Sequence, residues 1–282
     1  MRAISQAMAS CAAALASAGI DEAHLEAELL VGEVIGRTRE WLFLRPDERL
    51  TPGQVARLDS LLARRLKREP LPYLLGRAEF YGLAFRVTPA AIIPRPETEI
   101  LVEAAIEHAR ASQAKTALDV GAGSGAIVVT LAKLLPGLRA VAVDISQDAL
   151  RLTRENALAH GVADRIDLVC SDLLSGLRGE FDCVLANLPY IRRDEFPDLQ
   201  PEVRDFEPRA ALDGGEDGLT LIRQLGKQLL AHLRTGGFAL FEVGLGQAAE
   251  VQNLLTREGL AEVSVLRDYA GIERVVFGRR KG

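Results

Sequence analysis

An apolar run at 117–120 ends in Gly121-Ala122-Gly123-Ser124-Gly125 and passes at once into a helical pattern. So sharp a change from extended to helical spacing points to a fold in which parallel strands alternate with covering helices. Without Cβ atoms the turn lets a ligand approach its backbone closely. The helix behind it adds unpaired N–H groups and the positive end of its dipole.

The alternation continues beyond this turn. Further strand-like runs lie at 140–145, 166–170, 183–186 and 238–243, with helical stretches between most of them. The last two runs, 263–266 and 274–278, are separated only by a short turn containing Gly271, so a hairpin closes the sheet. A mostly parallel α/β sheet with an antiparallel final hairpin is the Rossmann-like arrangement of class I methyltransferases, whereas dinucleotide dehydrogenases end on parallel crossovers.

The first quarter of the chain has a different period. Leu25, Leu29, Leu30, Val34 and Ile35, then Val55, Leu58, Leu61, Leu62 and Leu66, recur at helical spacing. Breaks fall at Gly19, Gly36 and Pro46, and Thr51-Pro52 reads as an N-cap followed by proline at the first helical position. A chain of 282 residues accommodates one large and one small domain. The expected division is a helical bundle of four or five short helices over 1–75, a β-hairpin linker over 76–94, and the α/β domain over 95–282.

Charge narrows the partners. The formal net charge is -5, which speaks against bulk binding to a phosphate backbone, so direct nucleic-acid binding is not expected. The one basic run, Arg57, Arg64, Arg65, Lys67 and Arg68, reads as a solvated helix face. Cys11, Cys170 and Cys183 form no CxxC pair and their odd number fits a reducing cytoplasm. No apolar run approaches the roughly 18–20 residues of a membrane span, so no membrane association is expected.

The glycine turn has the form G-x-G-x-G, with Ala126 where a dinucleotide site would carry its third glycine. That form favours S-adenosylmethionine, with Gly121, Ala122, Gly123, Ser124 and Gly125 about its methionine portion. Asp144, ending the second strand, can accept from two ribose hydroxyls. Asp172 and Leu173, after the third, can accept from the adenine amino group and cover its ring. Helix capping is the plain alternative for both aspartates.

Asn187-Leu188-Pro189-Tyr190 follows the fourth strand, at the sheet edge where ligands of open α/β sheets bind. A planar nitrogen has a delocalised lone pair, and acceptors gripping its two N–H bonds weaken that conjugation and orient it for methyl transfer. The Asn187 side-chain oxygen and the Leu188 carbonyl are candidate acceptors. Pro189 stiffens the turn and Tyr190 offers a flat face for stacking. All four residues are candidates for both catalysis and substrate binding, and Asn187 also borders the cofactor. His24, His108, His160 and His232 are dispersed, and neither metal-ligand spacing nor a nucleophile elbow is present.

These motifs resemble, over essentially the whole chain, the bacterial release-factor glutamine methyltransferases of the HemK or PrmC type. The resemblance is carried by Ile93-Pro94-Arg95-Pro96-Glu97-Thr98-Glu99, the glycine turn, Asn187 to Tyr190, Phe206-Glu207-Pro208 with Ala211-Leu212-Asp213-Gly214-Gly215, and Arg267-Asp268-Tyr269. It implies a glutamine acceptor in the Gly-Gly-Gln motif of class I peptide release factors, and an N-terminal bundle that helps grip this protein. Leu188 stands where the family usually has proline, giving a tetrapeptide similar to that of ribosomal RNA adenine methyltransferases. An RNA adenine N6-methyltransferase is therefore the alternative activity, and a non-catalytic adaptor with a methyltransferase fold a second. Arg95 and Glu97 could shape the cofactor pocket or hold the linker to the sheet.

Overall fold

The computed structural model describes residues 2–282. Five helices come first: α1 (Ile4–Ser17), α2 (Ala23–Ile35), α3 (Arg39–Leu44), α4 (Pro52–Arg65) and α5 (Leu71–Leu75). The hairpin β1 (Arg77–Phe80) and β2 (Leu83–Arg86) leads to α6 (Glu99–Ser112). Then follow β3 (Thr116–Val120), α7 (Ala126–Leu134), β4 (Arg139–Asp144), α8 (Gln147–Ala159), β5 (Ile166–Cys170), β6 (Phe181–Ala186) and α9 (Pro201–Phe206). The chain ends with α10 (Thr220–Leu229), β7 (Leu233–Glu242), α11 (Ala248–Arg257), β8 (Leu260–Arg267) and β9 (Glu273–Arg280).

Two compact units result. The first comprises residues 1–76 together with the distant segment Pro201–Phe206, that is, α9. Its helices bury Ile4, Leu15, Leu30, Leu42 and Leu58 in one cluster. Local chemistry sets the helix ends. Thr51 Oγ1 accepts from Gln54 N while the Gln54 side chain accepts from Thr51 N, with Pro52 in the first turn, and Gly36 closes α2 in the left-handed region.

The basic run departs from its expected solvated face. Arg57 and Arg64 are exposed, but Arg65 is 5% exposed and held between Glu26 and Glu202. The reason is the carboxylate on α9, 137 residues further along the chain.

The second unit holds the seven-stranded sheet, in the order β5-β4-β3-β6-β7-β9-β8. Five neighbouring strands, β5 through β7 in that order, are parallel; β9 runs against both β7 and β8, so the sheet ends on the antiparallel hairpin. Strands β3, β6 and β7 are buried along most of their lengths because helices cover both faces. Leu118, Val120, Ala239 and Phe241 enter one cluster, and Ala117, Phe238 and Leu240 the other.

Successive strands β3, β4 and β5 step towards one edge, after which β6 returns to the other side of β3. The crevice between β3 and β6 is therefore the topological switch point of the sheet, where ligands of such folds bind. The β1–β2 hairpin is tied to this region by Asn156 of α8, which accepts from Arg86 N and donates to Arg86 O.

Candidate active site

Strand register assembles the site. Val120 pairs with Val143 on one side and Ala186 on the other. The residues that follow, Gly121, Asp144 and Asn187, therefore emerge in one row on the same sheet edge. Asp144 in turn pairs with Cys170, which brings 171–173 alongside. A cavity of about 320 Å³ opens over this row. It is lined by Gly121, Gly123, Asp144, Asp172, Leu173, Asn187, Leu188 and Pro189, and its walls are completed by Ala90–Ile92, Ile145, Ser146, Ala149 and Pro208 with Ala210 and Ala211.

The glycines are required by closeness. Gly121, Gly123 and Gly125 have φ of +79°, +58° and +80°. A Cβ on Gly121 would stand 3.0 Å from Leu188 Cδ2, and one on Gly125 would stand 2.8 Å from Thr153 Cγ2. The loop's amides, however, are largely committed within the protein. Gly121 N and Ala122 N donate to Val143 O, Gly123 N to Asp144 Oδ2, and Gly125 N to Ala122 O. The loop thus gives a ligand room and backbone contact more than a row of free donors. Helix α8 fixes its shape: Thr153 Oγ1 donates to Gly123 O and Asn156 Nδ2 to Ser124 O. Ala122, Ser124 and Gly125 lie outside the cavity lining and support the loop from behind.

Asp144 uses both carboxylate oxygens, Oδ2 on Gly123 N at 2.9 Å and Oδ1 on Ser146 N at 2.8 Å. The cap of α8 is Ser146, whose hydroxyl accepts from Ala149 N. The aspartate is thus held with lone pairs left for hydroxyl donors. Asp172 stands at the exposed rim, two residues beyond the end of β5, and Leu173 beside it is buried with φ +47°, an uncommon backbone for leucine that a ligand wall can impose. Leu188 is 4% exposed and packs over Gly121, so the side chain in place of proline fills the floor between β3 and β6.

Tyr190 is placed differently from a stacking wall. It does not line the cavity; its hydroxyl donates to Glu242 Oε1 at 3.3 Å and its ring lies against Gly244. Burial, with the Glu242 carboxyl second, raises its hydroxyl pKa, so it remains a donor. Arg95 Nη2 donates to Glu207 Oε1 at 2.5 Å, joining the two family motifs, while Glu97 is exposed and does not line the cavity. Burial raises Glu207 despite Arg95.

Sequence reasoning assigned no role to Thr98, Asp119 or Glu242, all buried beneath the cavity row. Asn187 Nδ2 donates to Thr98 Oγ1 at 3.1 Å, which leaves Asn187 Oδ1 as the free acceptor. Asp119 Oδ2 accepts from Val128 N and Oδ1 has no partner among the described residues. Burial pushes Asp119 up to about 7, against the Val128 hydrogen bond and helped by the Asp144 charge. A carboxyl raised above its unfolded value keeps a proton on folding, so the stability it brings is full below its unfolded pKa of roughly 4 and is lost as pH rises through 7. Asp119→Asn, neutral at every pH, is expected to flatten that loss. In denaturant titrations at pH 5 and pH 8, the wild type should lose at least about 1 kcal/mol more than the variant; equal losses would refute it.

Comparison with known proteins decides what this cavity belongs to. The PrmC N-terminal domain matches residues 6–76, and the Methyltransferase small domain matches residues 96–200. A release factor glutamine methyltransferase of Geobacter sulfurreducens is 44% identical over 266 residues, 94% of this chain and 92% of that protein. The chain belongs to the release factor glutamine methyltransferase family. A second family member, from Bradyrhizobium diazoefficiens, is 40% identical over 98% of this chain and 95% of its own length. Among solved structures, a methyltransferase from Pyrococcus furiosus superposes with a TM-score of 0.52 at 14% identity, covering 82% of this chain and 100% of that one, a likeness of fold. Like its family, the protein is an S-adenosylmethionine-dependent methyltransferase. No helix among the described residues is long and apolar enough to cross a membrane.

Proposed function

We propose that this enzyme methylates the side-chain amide nitrogen of the glutamine in the Gly-Gly-Gln motif of class I peptide chain release factors. The observation that carries the reading is the acceptor end of Asn187, held at the switch-point cavity by Thr98 and set in one row with Gly121 and Asp144. The helical unit, up to about residue 75, is assigned to gripping the protein substrate, the hairpin region to about 94 to joining it to the catalytic domain, and the whole to the cytoplasm.

The donor set suits S-adenosylmethionine: a crowded glycine backbone for the methionine portion, a tethered carboxylate at Asp144 for the ribose hydroxyls, and Asp172 with Leu173 for the adenine. When bound, it supplies an electrophilic methyl group on sulfur. Asn187 Oδ1 and the Leu188 carbonyl accept the two N–H bonds of the glutamine amide, drawing its nitrogen out of conjugation and holding its lone pair towards the donor. Pro189 limits the freedom of the turn that presents this carbonyl. The nitrogen gains a methyl group, sheds one proton to water, and leaves the sulfur a neutral thioether; no strong base is needed, so positioning is the protein's contribution.

Asp144→Ala is expected to weaken S-adenosylmethionine binding about 100-fold, because two charge-assisted hydrogen bonds go and Gly123 and Ser146 lose their anchor. Calorimetry giving the wild-type affinity would remove Asp144 from the cofactor site. The function itself is tested by incubating the full chain with methyl-labelled S-adenosylmethionine and either a class I release factor or ribosomal RNA. Mass analysis should find the label on the Gly-Gly-Gln glutamine, and label on RNA alone would overturn the proposal.

A further inference from the structure

The Leu188 carbonyl is aimed by the torsions on either side of it. Towards the C-terminus little freedom remains: the peptide plane is rigid and the Pro189 ring fixes φ, so the carbonyl moves as one unit with Pro189 and follows the backbone of Tyr190. Towards the N-terminus Leu188 has no ring, and its own φ is free. How firmly Tyr190 is held therefore decides how firmly the carbonyl is aimed. Tyr190 O accepts from Gln247 Nε2 at 2.9 Å, and Gln247 Oε1 accepts from Gly244 N, also at 2.9 Å. A backbone N–H can only donate and a backbone carbonyl can only accept, so the orientation of this side-chain amide is fixed at both ends.

Gln247 is itself held in place. Its N–H donates to Gly244 O and its carbonyl accepts from Val251 N, so it closes a turn at the start of α11, whose Ala248, Val251 and Leu255 are buried. Two glycines leave room for the contact. A Cβ on Gly218, where φ is +78°, would collide with both Tyr190 O and Gln247 Nε2, and one on Gly244 would stand 3.0 Å from Gln247 Oε1. We propose that Gln247 is a positioning residue for methyl transfer: by gripping Tyr190 O it aims the Leu188 carbonyl at an N–H of the acceptor amide. This rests on the glutamine reading above. Beyond Tyr190 the chain is held separately, since Ile191 N donates to Leu212 O and Ile191 O accepts from Gly214 N, so loss of Gln247 loosens the acceptor turn alone. A proline at 188 would fix the free φ from the other side and make the carbonyl less dependent on Gln247. A glutamine that merely supported the fold would show no such dependence.

The experiment uses the full chain and a class I release factor. Gln247→Glu keeps an oxygen for Gly244 N but sets its other oxygen against Tyr190 O, acceptor against acceptor, while Gln247→Leu removes both bonds. Each is expected to lower kcat about tenfold, with KM for the release factor and S-adenosylmethionine affinity by calorimetry within about twofold of wild type. In the Leu188→Pro background the same substitutions should lower kcat less than about threefold, a coupling that the double-mutant cycle reads directly. Should the leucine variant fold poorly or the proline variant lack turnover, Gln247→Glu in the wild-type background decides by its kcat and KM. A kcat within about twofold of wild type, a matching loss of cofactor affinity, or an equal loss in both backgrounds would overturn this proposal alone; absence of wild-type methylation of the release factor would overturn the functional reading and this proposal with it.

Discussion

Asn187→Ala is expected to lower kcat by about 10²–10³ while leaving S-adenosylmethionine affinity within a few-fold of wild type. The magnitude follows from the loss of one preorganised polar group at the reacting centre. Preorganisation is the essential part, because a free asparagine in water would lose its reorientation cost on each turnover. Here that cost is met in folding, since Nδ2 is already bonded to buried Thr98 and the residue follows a strand paired on both sides. The cofactor should scarcely notice the change, because Asp144 and the glycine loop are fixed by partners other than Asn187. Single-turnover methylation of a release factor, together with calorimetry, separates the two effects. A turnover within threefold of wild type would remove Asn187 from the mechanism, and a matching loss of cofactor affinity would make it a binding residue.

The parts of this site that could be read in advance are those whose chemistry is local in the chain. A glycine turn between strand and helix, an aspartate ending the next strand, and Asn187 ending another each carry their meaning within a few residues, and parallel register then forces them into one row. What escaped sequence reasoning depends on strand order and on contacts across it. Thr98 lies in a recognisable motif, but its value comes from Asn187, 89 residues away at the end of β6. A neighbouring strand explains Tyr190. An aromatic after Asn-x-Pro suggested stacking, whereas a buried carboxyl on β7 provides its hydroxyl with a partner and draws it away from the cavity. The close backbone approach expected of the glycine turn is legible in its residues, but the engagement of its amides is not, because Asp144 and Val143 come within reach only on β4. Each departure therefore has one cause: a polar group chose a partner that only the folded sheet supplies.

Arg65→Ala carries the largest expected effect on stability, about 3–5 kcal/mol for the first unit. Arg65 is 5% exposed and grips Glu26 through both Nε and Nη2, at 2.6 and 3.1 Å, while Nη1 reaches Glu202 Oε1 at 2.9 Å. Burial works against its charge, and the two carboxylates outweigh that. Removing the guanidinium leaves two largely buried carboxylates with much less cation between them; Arg68 still reaches Glu202, but Glu26 keeps no such neighbour among the contacts that define the pair. Arg65→Lys should recover only part of the loss, since an ammonium cannot bridge both carboxylates with a fixed fork. The measurement is simple because the chain has a single tryptophan, Trp41, packed on the first unit's core. Its emission during denaturant titration reports this unit. A loss below about 1 kcal/mol would show that the pairing barely offsets the desolvation it requires. A loss of the expected size would make Glu202, contributed by a short helix 137 residues further along the chain, a structural member of the helical unit, one that no local pattern in the first 76 residues could have disclosed.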